Sequence, residues 1–283
     1  MTSYRYASAS NQAGFRSNSP LTNEQIGFYA PSVLADAAHE SRGDRYGFIP
    51  TINVIDGLRK EGFEPFEVRQ TKVRDQSKKE HTKHLVRLRH PSAIGHDLST
   101  EVPELILVNS HDGSSSYQLL SGFFRFVCSN GLISGDICDD VRIRHTGNVI
   151  DNVIEGSYRV LDNIAIASDR IGTYKNLQLT SHEQLAFANA AIDLRWDRDA
   201  VTNRAPVQAQ NLLNIRRYAD NKNDAWSVLN VVQENLIKGG VRATTKTGRR
   251  TRTREVGGVN ENVKLNRAIW TLLDTLVEHK LAA

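Results

Sequence analysis

The spacing of hydrophobic positions changes character near residue 149. Before it, apolar and polar residues alternate in short runs, with Phe66, Val68 and Val73 among polar neighbours and Leu85 and Leu88 among the charges of His84 to Arg89. That is the period of half-buried strands. Further strands are predicted at Glu104 to Val108 and Val141 to Arg144, while the apolar run Tyr117 to Val127 suits a strand or a buried helix equally, because period does not decide for short apolar segments. Two helices precede the strands. Thr22 with Gln25 forms a capping box ahead of a helix that ends before Pro31 or resumes through Val33 and Ala37, and Thr51 caps a helix through Arg59 that stops at Gly62.

After residue 149 the helical period takes over. Val149, Ile150, Val153, Ile154, Tyr158, Leu161 and Ile164 recur at steps of three and four, and Ser181 with Gln184 opens a helix through Leu194. Asp224 caps a helix carrying Trp226, Leu229, Val232 and Leu236, which Gly239 stops, and a last helix runs from about Glu261 to Leu281. The expected class is α+β, with an antiparallel sheet and helices in the N-terminal half and a mainly helical C-terminal half. Residues 1–20, rich in Ser, Asn, Tyr and Arg without period, read as a flexible tail. Residues 21–148 form the α+β part and 149–283 the helical part, interrupted by a basic loop at 238–256.

Composition narrows the setting. With 283 residues and 39% hydrophobic content, the chain can bury a real core. No apolar stretch reaches the roughly 18 residues of a membrane span, and the N-terminus lacks the apolar core of a secretory signal. Two cysteines, Cys128 and Cys138, make neither a disulfide framework nor a zinc motif. A reducing cytoplasm and no membrane partner are expected. Net charge is only +4, so anion binding has to come from local clustering.

One cluster stands out. Lys238, Arg242, Lys246, Arg249, Arg250, Arg252 and Arg254 lie in a run without an acidic residue, interleaved with three glycines and five threonines. Such a segment buries little apolar surface, so a flexible arm that a polyanion neutralises is expected, with nucleic acid as the first partner. A second basic stretch spans Arg69 to Arg89. As a hairpin it would put Arg87 and Arg89 on one strand face, extending a phosphate track with Phe66 or Tyr117 stacking bases. Ordinary solvent-facing cations explain that stretch as well.

The third cluster is Asn109-Ser110-His111-Asp112-Gly113-Ser114-Ser115-Ser116, leading through Arg125 to Cys128-Ser129-Asn130-Gly131. Adjacent Ser, His and Asp in a polar turn seldom converge as a triad, and the Asp-Gly and Asn-Gly pairs are turn signals by themselves. The nearby His81, His84, His90, His96 and His111 follow no metal-site spacing. No cofactor is expected.

The strings NSHDGSSSYQLLSGFFRFVCSNGL and DAWSVLNVVQENLIKGG, followed by TGRRTRTREV and KLNRAIW, resemble the phage- and plasmid-associated family called domain of unknown function 932, from about Tyr46 to Leu281. The resemblance implies a mobile-element setting in DNA metabolism or counter-defence, and makes the Asn109 block and Gln233, Glu234 and Asn235 the natural places for a shared function. A sheet followed by helices is also loosely similar to single-strand annealing proteins. The leading expectation is therefore non-specific single-stranded DNA binding in recombination or annealing, with a homo-oligomeric ring as one form. Two alternatives stay open: a nuclease or hydrolase holding Mg²⁺ with Asp112 and Glu234, and a counter-defence protein that captures a host protein or nucleotide signal.

Overall fold

The computed structural model describes residues 14–43, 46–73, 75–91, 101–125, 130–133 and 141–282. Its frame is an antiparallel meander of β2 (Glu64–Gln70), β3 (His84–Arg89), β4 (Glu101–Asn109), β5 (Tyr117–Arg125) and β6 (Asn130–Ile133). The outer strand β1 (Gly14–Arg16) pairs with β2, and β7 (Val141–Ile143) pairs with the start of β5 while β6 pairs with its end. The segment Gly14 to Arg16 thus belongs to the sheet, although the sequence reads as a tail there. Its neighbour β2 supplies the ladder hydrogen bonds that the sequence around Gly14 gives no sign of. Tyr117 to Arg125 resolves as a strand. Cys128, Cys138 and His96 lie outside the described residues.

Alternation in the strands divides the side chains between two faces. Val68, Val86, Leu88, Leu105, Leu107 and Leu119 point to one side and pack on α1 (Asn23–Tyr29), α2 (Thr51–Lys60) and the first half of α3 (Val149–Asn176). Leu85, Ile106, Val108, Leu120 and Ile133 point to the other, where Val259 closes over them from α7 (Val259–Ala282). The second half of α3 joins α4 (Ser181–Asp193), the short α5 (Ala209–Leu212), α6 (Ala225–Lys238) and α7 around the buried Trp226 and Trp270, whose rings meet edge to face at 5.8 Å. The C-terminal part is mainly helical, as the periodicity implies.

Caps set several helix starts. Thr22 and Gln25 form the expected box, Asp224 accepts from the Ser227 N–H, and the box ahead of α4 uses Thr180 with Glu183, one residue earlier than Ser181 with Gln184. Thr51 does not cap. It is the first residue of α2, and its hydroxyl turns into the sheet.

The face under α6 and α7 carries charge in its interior. A bulge between Pro65 and Glu67 turns Glu67 to that side. There the fully buried Glu104 receives Arg16 Nη1 at 3.0 Å, Arg87 Nη1 at 2.9 Å and Arg89 Nη2 at 3.0 Å, while Glu67 is shared by Arg16, Arg69 and Arg87. Phe124 lies beneath the Arg16 and Arg89 guanidiniums. Gly131 admits Arg87: a Cβ there would sit 2.7 Å from the guanidinium carbon, and Arg87 donates to the Gly131 and Leu132 carbonyls.

Removing one partner of such a cluster leaves buried charge uncompensated. Glu104→Gln should cost about 3–5 kcal/mol of stability, read as a fall in the urea midpoint at unchanged m-value. A loss below about 1 kcal/mol would mean that Glu67 alone satisfies the arginines.

Candidate functional site

Three polar regions collect the residues singled out by sequence, and the sheet keeps two of them apart. The first is the arginine and glutamate cluster just described. Arg87 and Arg89 belong to it, which corrects the expectation of an exposed basic track: both face the side covered by α6 and α7, and only 3% and 6% of their surface is exposed. Nor are the expected aromatic partners open. Tyr117 is buried and donates to the Ile49 carbonyl, and the Arg89 guanidinium already covers the Phe66 ring at 4.2 Å.

The second region lies on the opposite face, beneath the start of α2. Asn109 Nδ2 donates to Thr51 Oγ1 at 3.0 Å, and His84 Nε2 and His111 Nε2 approach the same hydroxyl at 2.9 and 3.0 Å. Proton counting fixes the arrangement. Gln70 Nε2 donates to the Lys79 carbonyl, so Gln70 Oε1 faces Ser32 and accepts from its N–H and hydroxyl. His84 Nδ1 then carries a proton, shared between Ser32 Oγ at 2.8 Å and the Thr82 carbonyl at 3.3 Å. His84 Nε2 therefore accepts from Thr51, whose oxygen accepts in turn from His111 Nε2–H. This leaves a lone pair on His111 Nδ1, buried and without a partner among the described residues. His145 Nε2 donates to the Ser115 carbonyl, leaving its Nδ1 in the same condition.

This network is a polar core instead of a triad. Ser110 Oγ accepts from the Ser115 N–H, Asp112 accepts from the Ser114 N–H, and His111 turns away from both to Thr51. Burial alone would raise the Asp112 carboxyl, yet the hydrogen bonds from Ser114 and Ser110 hold it below its ordinary range. Among the described residues no group of three or more His, Cys, Asp and Glu is placed to hold a metal ion.

Arg125 lies outside these regions, and the α6 triplet borders the first and third: Gln233 lines a cavity with Arg16, Arg69 and Arg87, and Asn235 lines a cleft with Arg242 and Arg252. Arg125 pairs with Asp220 and Glu101, and Asn130 is placed by its backbone alone, opposite Arg125 in the β5 and β6 register. Gln233 Nε2 donates to Asn266, Glu234 is held by Arg217 and Lys238, and Asn235 donates to the Leu212 and Asn214 carbonyls. The two carboxylates considered for a Mg²⁺ site have different partners among the described residues, Asp112 being held by Ser114 and Glu234 by Arg217 and Lys238.

The third region is the basic arm, and it is ordered. Arg242–Thr244 (β8) and Arg250–Arg252 (β9) form an antiparallel hairpin with Arg242 opposite Arg252 and Thr244 opposite Arg250. The ladder continues through the Thr253 N–H to the Val241 carbonyl. Alternation then puts Arg242, Arg250, Arg252 and Arg254 on one face, all exposed, while Val241 and Ala243 turn into the helical core. Lys246 and Arg249 are exposed at the turn, and Lys238 is half-buried at its root. The sequence gives no strand signal here because neither three-residue strand has the apolar-polar-apolar alternation that marks Val141–Ile143. What holds them is tertiary: Asn211 Nδ2 donates to the Arg242 carbonyl, and the Thr244 N–H to the Pro206 carbonyl. Gly239, at φ +67°, starts the hairpin because a Cβ would lie 2.5 Å from the Arg254 carbonyl.

Beside the arginine face lies an open cleft of about 640 Å³, lined by Asn211, Asn214, Ile215, Arg216, Asn235 and Arg242 among others. Arg216 is anchored there, Nε donating to Asn235 Oδ1 at 2.9 Å. Two residues on, Tyr218 is 90% exposed. Sequence reasoning passed over Arg216 and Tyr218; the Arg-Arg-Tyr string of 216–218 was the available signal.

The model of the family described as Domain of unknown function (DUF932) matches residues 38–270. The chain is similar to the UPF0380 protein YfjQ of Escherichia coli (strain K12), 45% identical over 93% of each chain, and to the UPF0380 protein YafZ of the same strain, 44% identical over 93% of each. No solved structure matches. The chain belongs to the DUF932 family.

The buried imidazoles make stability depend on pH. Burial, with His111 adding repulsion, pushes His84 down to about 3, and burial with His145 and His81 nearby pushes His111 down to about 4, against 6.5 in the unfolded chain. Below pH 6.5 the unfolded chain therefore takes up protons that the folded one refuses, and stability falls with pH. Asp274, pushed up to about 6 by burial, opposes this with one proton of its own. His111→Gln, whose amide can still donate to Thr51, should reduce the dependence between pH 6 and 5 by about 1.4 kcal/mol per pH unit. Urea titrations at the two pH values measure it, and equal slopes for both proteins would mean that His111 titrates normally.

Proposed function

We propose that this member of the DUF932 family binds single-stranded DNA without sequence choice, through the arginine face of the β8–β9 hairpin and the adjoining cleft. The observation that carries the reading is Arg242 directly opposite Arg252, on a hairpin without an acidic residue. Like charges across a ladder destabilise it. A polyanion removes that repulsion, and counterion release from its phosphates supplies most of the affinity.

The exposed Tyr218, two residues beyond Arg216 of the cleft, favours unpaired bases. Arginines track phosphates on any strand, but a ring as exposed as Tyr218 gains from stacking only on a base that is not already paired. Arg216, held in place by Asn235, supplies a further cation in the cleft that Arg242 and Arg252 also line. Arg87 and Arg89 take no part, so the phosphate track comprises Arg242, Lys246, Arg249, Arg250, Arg252 and Arg254, with Lys238 at its root. The mobile-element setting that the sequence resemblance implies would make recombination or strand annealing the process such binding serves.

The test is fluorescence anisotropy of a labelled single strand across a salt series. Replacing Arg242, Arg250, Arg252 and Arg254 together by Ala should lower the slope of log K against log salt by about 0.7 for each phosphate that is no longer neutralised. Tyr218→Ala should weaken single-strand binding by about 1–3 kcal/mol and leave the slope unchanged. An unaltered slope in the arginine variant, or no binding by the parent at low salt, would overturn the reading and favour a host protein or nucleotide signal. Cleavage of the strand in Mg²⁺ would favour an enzyme.

A further inference from the structure

At the root of the hairpin, between the charged sheet face and α6, lies a small cavity of about 30 Å³, room for two or three waters. Arg16, Arg69, Arg87 and Lys238 line it together with Glu67, Glu255, Gln233 and Asn262. Its charge is unbalanced. Behind it, the guanidiniums of Arg16, Arg69, Arg87 and Arg89 share two enclosed carboxylates, Glu67 and Glu104. The third carboxylate, Glu255, is 58% exposed and reaches Arg69 Nη1 only at 3.8 Å. Burial, offset in part by Glu104, pushes Arg16 down to about 9. It remains charged at neutral pH, and Glu67 and Glu104, which it shares with Arg69, Arg87 and Arg89, offset its desolvation only in part.

We propose that this cavity seats one phosphoryl group, either free phosphate or the terminal phosphate of a nucleic-acid strand. Arg69 is tied to Glu67 through Nε and Lys238 to Glu234 at 3.3 Å, but both side chains are partly exposed and are the cations that can share a further anion, whereas Arg87 is locked to Glu104 and to the carbonyls of Gly131 and Leu132. Glu255 acts as a weak internal substitute for the anion. Gln233 supplies a second recognition element: its Nε2 is committed to Asn266, so its buried Oε1, without a partner among the described residues, is left as an acceptor. A phosphate bearing one proton can donate to it while its charged oxygens accept from Arg69 and Lys238. The position adds a source. Lys238 ends α6 and Glu255 follows β9, so the cavity opens where the arginine face begins. The strand-end form of the proposal rests on the single-strand reading above, whereas the phosphate seat itself does not.

The experiment titrates inorganic phosphate into the full chain at constant ionic strength, followed by thermal denaturation. Saturable stabilisation is expected, absent with matched chloride. Glu255→Gln should tighten phosphate by about tenfold and Lys238→Ala should weaken it by about as much, one charge-assisted contact each. A gain in the first variant cannot come from misfolding. The quadruple arginine variant of the hairpin should retain phosphate binding, which separates this seat from the hairpin's own role. Competition with otherwise identical oligonucleotides identifies the source: preference for a 5′- or 3′-phosphorylated strand over a hydroxyl-ended one supports a strand end, and equal competition supports free phosphate. Absence of saturable stabilisation, or the same response in parent, Glu255→Gln and Lys238→Ala, would overturn the proposal.

Discussion

A carboxylate with no solvent exposure sits at the centre of the sheet, and much of the architecture follows from keeping it charged. Burial drives the Glu104 carboxyl upward, but the guanidiniums of Arg16, Arg87 and Arg89 outweigh it and hold it below its ordinary range. A buried carboxylate without such partners would neutralise instead. Because the three arginines come from β1 and β3, the ion cluster ties the edge strand to the meander. The bulge that turns Glu67 inward and the glycine at position 131 that leaves room for Arg87 belong to the same arrangement. Buried ion pairs add little net stability compared with well-packed apolar residues. Their effect here is specificity, since a slip of β1 by one residue would swing Arg16 to the opposite face.

The other face keeps its polar groups neutral. His84, Thr51, His111 and Asn109 form a chain in which each bond fixes the proton of the next, ending on the Gln70 amide. The hydroxyl that might have capped α2 is consumed in this chain, and Pro50 starts the helix without a side-chain cap. One sheet thus separates a charged interior from a neutral one. Both are largely enclosed, whereas the β8–β9 hairpin turns Arg242, Arg250, Arg252 and Arg254 outward.

Strands β2 to β4, the flanking helices and the capping of α1 and α6 were legible in sequence because each rests on local patterns: alternation, three- and four-residue spacing, and a cap at a fixed offset. The β5 segment fitted a strand or a buried helix equally, and β6 was missed because Asn130-Gly131 reads as a turn. Gly14 to Arg16 and the β8–β9 hairpin were not legible either, since their three-residue strands lack the apolar-polar-apolar alternation that marks Val141–Ile143 and owe their order to distant partners, Glu67 and Glu104 in one case and Pro206 and Asn211 in the other. Arg87 and Arg89 show the limit of charge patterns. Alternation correctly put them on one face, but whether that face meets water is decided by α6 and α7, far downstream in the chain, and by Glu104, which reads from sequence as an ordinary strand glutamate. The same residue type at 242, 250, 252 and 254 is exposed because the opposite face of that hairpin, Val241 and Ala243, is the one with a core to bury into.

That difference bears on how the hairpin can act. A flexible arm pays conformational entropy when it orders on a ligand, whereas this one is already fixed by its ladder, by the Gly239 turn and by two hydrogen bonds to the 206–211 segment. The cost is moved from binding to folding, where it takes the form of arginine repulsion across the strands. Folding can bear it because Val241 and Ala243 pack into the same core as Trp226 and Trp270. A preformed cationic face of this kind presents its charges at the two-residue repeat of a strand, roughly 6.6–6.8 Å, close to the phosphate spacing of an extended single strand and unlike the compact charge of a folded acidic protein. On the single-strand proposal, spacing would therefore matter as much as sign, because successive phosphates could each meet a guanidinium without either side rearranging.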